Sequence, residues 1–329
     1  MKSNMNSNRL ESILGVIERE LSRFEDDFAR ILKSDVNIID QIGQYISNVK
    51  GKRIRPAIVL LSAKLFGEIN QKVIHAASIV ELLHTATLIH DDVVDKSDQR
   101  RGQKSVNNIW QNKTAVLMGD FLFSRSLVKL LDLEDKEVLS DISQTTEHLS
   151  SGELLQIEKS QDHKMTKSIY DDMIFYKTAS LFATSCRIGA RLMGAGKNFY
   201  NALYNYGRYL GMAFQIKDDL FDIKGRPESI GKPVGMDVKQ NMLTLPVIHA
   251  LETLSEQDRR KVQDILARKD EIDEKVLTEY VKKAGGFEYC RERIDHYSAE
   301  SRRALAIFKN SAVKNSLMAL IDFNKNRKR

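Results

Sequence analysis

The chain has 329 residues, 42% of them hydrophobic, which is enough apolar material for one large or two ordinary domains with a substantial core. Its two cysteines, Cys186 and Cys290, exclude a disulfide framework or a cysteine-rich metal cluster and fit a reducing compartment. A net charge of +6, from 51 Lys and Arg against 45 Asp and Glu, leaves open attraction to nucleic acid, anionic lipid or a phosphorylated small molecule.

The first residues, "MKSNMNSNRLESILG", hold no continuous apolar stretch of signal-peptide length, and no segment approaches the roughly 20 apolar residues of a membrane helix, so a cytoplasmic protein is expected. From Leu10 the pattern turns helical: Leu10, Ile13, Leu14, Ile17, Leu21, Phe24, Phe28 and Leu32 recur at three- and four-residue spacing. The same period predicts helices around 56–66, 72–90, 115–131, 136–158, 167–193, 198–222, 240–253 and 273–285, while alternation over a strand's length is missing. No proline lies between Pro56 and Pro227, so the middle of the chain is free to form long helices. Pro227 and Pro233 fall in "KGRPESIGKPVG", read as a loop, and the basic tail "NKNRKR" reads as a solvated, frayed end. No repeat or low-complexity linker divides the chain. The expected fold is all-α: a single domain, 1–329, built as a bundle of long helices around a central cavity.

One predicted helix ends in "IHDDVVDK". Asp91 and Asp95 share a face, with Asp92 beside them, so mutual repulsion costs a few tenths of a kcal/mol per pair, roughly, unless a cation intervenes. An acidic helix end is usually a solvated face. Here the apolar Leu82, Leu83, Leu88 and Ile89 imply burial up to the cluster, and "FQIKDDLFD" repeats the spacing with Asp218, Asp219 and Asp222. Gly102 and Gly225 follow the two clusters as candidate helix stops, which would put both clusters near helix C-termini, where the macrodipole favours cations. Oxygen-only ligands without thiols or His-rich spacing point to Mg²⁺, which completes its octahedron with water and phosphate oxygens.

Basic residues punctuate the same elements. Lys50, Lys52, Arg53 and Arg55 stand in "KGKRIRP", Arg100 and Arg101 in "DQRRG", Lys177 in "YKTAS" and Lys232 in "IGKP". Singly each is an ordinary surface charge; together, with arginine forks suited to phosphate oxygens, they suggest a diphosphate site. A Walker or dinucleotide glycine fingerprint is missing, which disfavours nucleotides.

These motifs resemble the trans-isoprenyl diphosphate synthases, specifically the long-chain (octaprenyl-type) polyprenyl synthases. The order "GKRIRP", "LLHTATLIHDDVVDKSDQRRG", "AVLMGDFLFS", "GELLQ", "KTASL", "GMAFQIKDDLFD" and "GKPVGMDVKQNMLTLP" matches the family from about residue 45 to about 255. The resemblance implies head-to-tail condensation of isopentenyl diphosphate onto an allylic diphosphate, with three Mg²⁺ ions held by the two Asp motifs. Asp91, Asp95 and Asp218 match direct ligands, with Asp92, Asp219 and Asp222 supporting them. Arg100, Lys177, Thr178, Gln215 and Lys232 match residues that hold the allylic diphosphate; Lys52, Arg55, His84 and Arg101 match the isopentenyl diphosphate pocket. The catalytic set by resemblance is Asp91, Asp92, Asp95, Lys177, Asp218, Asp219 and Lys232, with no protein base, since the released diphosphate accepts the proton. Family members are commonly homodimers; nucleic acid is not an expected partner, and product release calls for contact with a membrane surface.

Two departures stand out. Lys50 replaces a common glycine, and Asn241 and Met242 stand where Gly-Lys is frequent, leaving Lys239 as the neighbouring basic residue. For product length, positions four or five before Asp91 lie roughly 6–7.5 Å down the helix, and here they are the small Thr87 and Ala86. An open tunnel past Leu83, Val80 and Ile79 towards Phe121 or Phe123 would carry a chain near forty carbons for a quinone side chain. The alternatives are a short-chain synthase and a terpene cyclase; "DDLFD" and "GKRIRP" argue against the cyclase, which has no second-substrate pocket.

Overall fold

The computed structural model describes residues 9–49, 51–100, 102–162, 165–224, 243–267 and 273–327. Lys50, Arg101, Gly225, Pro227, Lys232, Pro233, Lys239, Asn241 and Met242, singled out above, lie outside them. Among the described residues the chain is helical apart from one two-stranded hairpin, as the periodicity predicts.

The first predicted helix is interrupted. Residues 9–14 are helical, Gly15–Ile17 tightens into a 3₁₀ turn, and α1 then runs Glu18–Leu32, burying Phe24, Phe28 and Ile31 with Glu18 and Glu20 in its positively polarised first turn. Helix α2 (Asn37–Asn48) is not among the predicted helices; its buried stripe is only Ile42, Gly43 and Ile46, too narrow for the period to stand out. Helix α3 (Ile54–Lys64) begins at Arg53 in a left-handed conformation, φ 50°, and carries Pro56 in its first turn, where a missing N–H costs nothing. It is buried continuously from Pro56 to Ala63.

Helix α4 (Gln71–Val94) starts where the Asn70 side chain accepts a hydrogen bond from Val73 N at 3.1 Å. It is long and apolar enough to cross a membrane by composition, contrary to the sequence reading, yet 72% of its most apolar stretch is buried inside the protein, as in a core helix. The stop after α4 is Lys96 at φ 50°, not the expected Gly102, which at φ 75° turns the hairpin of β1 (Gln99–Arg100) and β2 (Gln103–Lys104). Helix α5 (Val106–Leu131) starts earlier than its period suggests and is kinked at Gln111, φ 69°.

Next come α6 (Lys136–Asp162), α7 (Lys167–Ile174), a π-helical segment Phe175–Ala179, α8 (Ser180–Arg191) and α9 (Lys197–Lys224). The π segment splits the single helix expected over 167–193; such wide turns recur at functional positions. The chain ends with α10 (Leu245–Thr253), α11 (Glu256–Ala267), α12 (Glu274–Lys283), α13 (Gly286–Ala304) and α14 (Ala312–Asn326). The period does not announce α11, α13 and α14; α11 buries only Val262.

The chain divides into two compact units, Met1–Thr146 with Leu181–Tyr204 and Leu305–Ala319, and Glu147–Ser180 with Asn205–Ala304 and Leu320–Arg329; the division falls inside α6, α8, α9 and α14. In the first unit α4 is the core, packed by α1, α3 and α5, with Ile74, Val80 and Leu82 buried. Each large aliphatic side chain so buried contributes about 1.5–3 kcal/mol. In the second, Met173, Ile216, Leu220, Val247, Val281 and Phe287 belong to one buried cluster with Cys290. Both cysteines are free and buried, and burial pushes the Cys186 thiol up to about 12.

Candidate active site

In the first unit the helical period of α4 sorts its polar residues onto two stripes. His84, Asp91 and Asp95 recur at two-turn and one-turn steps and share one face. Glu81 and Asp92, three turns apart, share another and are both buried, at 3% and 4% exposure. Each buried carboxylate takes an arginine. Arg53 donates to Glu81 Oε1 at 2.6 Å and to Glu25 Oε1 at 2.9 Å, with its guanidinium 4.9 Å from the Phe28 ring centre. Arg100 donates to Asp92 Oδ1 from Nε at 2.9 Å and Nη2 at 2.5 Å.

The arginines of "KRIR" therefore divide their work. Arg53 is an internal anchor, whereas Arg55 donates to His84 Nε2 at 2.9 Å and lies 4.9 Å from the Phe182 ring centre. A guanidinium has only donors, so His84 Nε2 accepts and its proton sits on Nδ1. The structure thus joins two of the residues matched to the isopentenyl diphosphate pocket; Lys52, the third described one, is exposed. Between the two buried ion pairs lies a cavity of about 70 Å³ lined by Tyr45, Val49, Leu88 and Ile89 with Arg53, Asp92 and Arg100. None of the tunnel residues lines it. Val80, Leu83 and Ala86 are buried, and Thr87, Phe121 and Phe123 half-buried.

In the second unit, α9 presents Gln215, Asp218, Asp219 and Asp222. Asp219, 4% exposed, accepts from Tyr170 Oη at 2.5 Å on one oxygen and from Gln215 Nε2 at 2.9 Å on the other. Gln215 Oε1 in turn accepts from Thr178 Oγ1 at 2.7 Å. Tyr170 is fully buried, and burial beside the Asp219 carboxylate holds its hydroxyl pKa well above the ordinary value. Lys177, on the π segment, pairs with Glu153 at 2.6 Å and with Gln156 at 3.0 Å, both from "GELLQ". Gly152 makes this approach feasible: a Cβ there would lie 2.7 Å from the Lys177 backbone nitrogen.

The tail corrects the sequence reading. Arg327, in "NKNRKR", is not a solvated end: its side chain is 8% exposed, it pairs with Asp218 Oδ1 at 2.8 Å, and it donates to the Phe214 carbonyl at 2.8 Å. Tyr170 and Arg327 are the residues sequence reasoning missed. Tyr170 sits eight positions before a recognised "TASL", and a helical tyrosine is usually core; Arg327 is over a hundred residues from its partner.

The two carboxylate sets share one pattern. The leading residue, Asp91 or Asp218, is half-exposed, while the second, Asp92 or Asp219, is buried and hydrogen-bonded. Among the described residues no group of three or more His, Cys, Asp or Glu forms a closed metal cage. Open, all-oxygen donor sets fit Mg²⁺, which keeps water and substrate phosphate in its shell.

The family model for polyprenyl synthetase matches residues 36–284, and the chain belongs to that family. It is 33% identical over 313 residues to the octaprenyl diphosphate synthase of Escherichia coli, covering 94% of this chain and 97% of that one. A decaprenyl diphosphate synthase from Rhodobacter capsulatus superposes with a TM-score of 0.90 at 33% identity, covering 98% of this chain and 99% of that one. A polyprenyl synthase from Caulobacter crescentus, complexed with calcium and isoprenyl diphosphate, also gives 0.90, at 31% identity and 98% coverage of both chains. The protein is a prenyltransferase of the isoprenoid synthase fold, akin to the long-chain enzymes.

Proposed function

We propose that this enzyme elongates an allylic diphosphate, farnesyl diphosphate first, by successive head-to-tail trans condensations with isopentenyl diphosphate, ending near eight isoprene units for a quinone side chain. The observation that carries the reading is the repeated carboxylate set, with a half-exposed leading aspartate and a buried, hydrogen-bonded second one in each unit.

The allylic C–O bond breaks with its electron pair leaving on the diphosphate. The double bond of isopentenyl diphosphate attacks the resulting cation, and a proton is lost to restore a double bond. Asp91, Asp95 and Asp218 would hold Mg²⁺, with Asp92, Asp219 and Asp222 orienting them, and three ions match the family. When bound, Mg²⁺ supplies Lewis-acid neutralisation of the departing diphosphate. Arg100, Lys177, Thr178, Gln215 and Lys232 bind the allylic diphosphate, Lys232 lying outside the described residues. Lys52, Arg55, His84 and Arg101 bind isopentenyl diphosphate without metal, and Arg55 is pre-oriented by His84 and Phe182. Small residues at Ala86 and Thr87 leave the path down α4 without an aromatic floor.

A homodimer is supported by apolar side chains exposed on α5: Val116 at 40%, Leu117 at 60%, Val128 at 56% and Leu131 at 64%. We read residues 1–329 as one cytoplasmic enzyme domain that meets a membrane surface only to release product. The test is incubation of the purified protein with labelled isopentenyl diphosphate, farnesyl diphosphate and Mg²⁺, followed by sizing of the dephosphorylated products. A ladder ending near forty carbons is the expected result; termination at fifteen or twenty carbons would make it a short-chain synthase, and absence of elongation would refute the assignment.

A further inference from the structure

Tyr170 has no role in the motifs above, yet it is the buried partner of Asp219. It lies in the first turn of α7 and belongs to the buried cluster that includes Met173, Ile174, Ile216 and Leu220, apolar packing that phenylalanine would also supply. The hydroxyl therefore needs a reason, and its acceptor is a carboxylate in the set matched to metal binding.

The hydrogen bonds run in one direction. Gln215 lies one turn before Asp219, and its amide can donate to a carboxylate only with Nε2 facing it, which leaves Oε1 towards Thr178. Tyr170 and Gln215 thus each direct a proton at a different oxygen of Asp219. Those two donors, one on each oxygen, fix the rotation of the carboxylate plane, the way outer-shell partners orient a metal-binding carboxylate.

We propose that Tyr170 is a positioning residue of the second aspartate set: its hydroxyl fixes Asp219 and, through Gln215, the Thr178 hydroxyl in the orientation that metal and diphosphate binding require. This rests on the reading of that set as metal-binding. Tyr170 does not touch substrate; it acts through Asp219, with no proton transferred.

The test uses the full-length protein, Mn²⁺ with inorganic pyrophosphate as probe, and free Mn²⁺ read by electron paramagnetic resonance. Tyr170→Phe should fold normally by thermal melting without metal yet bind Mn²⁺ about tenfold or more weakly, as for loss of an outer-shell partner. Asp219→Asn should weaken binding too, and the double variant should be no weaker than Asp219→Asn alone, because both act through one carboxylate. Thr178→Val, at the far end of the chain of hydrogen bonds, should give a smaller loss and serves if Tyr170→Phe does not fold. Wild-type Mn²⁺ affinity in Tyr170→Phe, with Asp219→Asn impaired, would overturn the proposal alone. Wild-type affinity in Asp219→Asn would overturn the metal reading of the set along with it.

Discussion

The two aspartate sets carry the same spacing on helices of different units, but their buried members are held differently. Asp92 accepts from a cation, Arg100, eight residues further on in the hairpin; Asp219 accepts from two neutral donors, Tyr170 and Gln215. The charge of Asp92 is thereby balanced locally by a residue that is itself matched to diphosphate binding. Tyr170 and Gln215 reach Asp219 as uncharged donors, while the guanidinium of Arg327 pairs with the neighbouring Asp218. Equal sequence patterns therefore do not mean equal partners: the first set pairs with a hairpin arginine, the second with a core tyrosine and a C-terminal arginine.

The largest expected effect comes from the leading residues. Asp91→Asn and Asp218→Asn should each lower kcat by about 10²–10³-fold, the size of losing one group aimed at developing charge; Asp218→Asn should also lower the melting temperature, because it removes the charge partner of the buried Arg327. Equal losses would sharpen the parallel between the sets; an inert substitution at either would break it.

The buried members should separate by stability. Arg100→Met strands the Asp92 carboxylate and should destabilise the protein by about 2 kcal/mol, below the 3–5 typical of a fully buried pair because the guanidinium is 30% exposed. Adding Asp92→Asn should recover much of that loss in a double-mutant cycle by denaturant unfolding. A cycle without coupling would show that the ion pair seen between them contributes nothing.

Much of this was legible in the sequence. The doubled aspartate motif and the long helices follow from spacing and residue type, whereas Arg55 and His84 are assigned to one pocket only through the family resemblance. What the sequence hid has physical causes. The π segment at Phe175–Ala179 depends on α6 approaching closely at Gly152, a tertiary contact with no local signature. Arg53 looked like its neighbours in a basic run, yet a left-handed φ turns it inwards to Glu81. The final helices α13 and α14 were missed because their polar faces dilute the period, and with them went Arg327.

The proposed chain-length path lies in the first unit. Ala86→Phe should shorten the principal product by several isoprene units, read by chromatography of the dephosphorylated chains, while leaving the first condensation intact; unchanged products would discard the path down α4.

The smallest effects lie away from both sets. Cys186 and Tyr297 are each pushed up to about 12 by burial. Their folded values lie above the ordinary ones, so the folded state holds its protons more tightly than the unfolded chain, and stability should fall only as pH rises from about 9–10 towards 12. Urea unfolding across that range checks the sign, and thiol reagents at pH 8 should label neither cysteine until the protein unfolds.

The central claim is that both aspartate sets serve one metal-dependent elongation. It is tested most directly by following incorporation of labelled isopentenyl diphosphate in wild type, Asp91→Asn and Asp218→Asn after chelation and again after Mg²⁺ is restored. The account predicts that Mg²⁺ revives the wild type and neither variant; full activity in either variant, or wild-type elongation that persists in chelator, would contradict it.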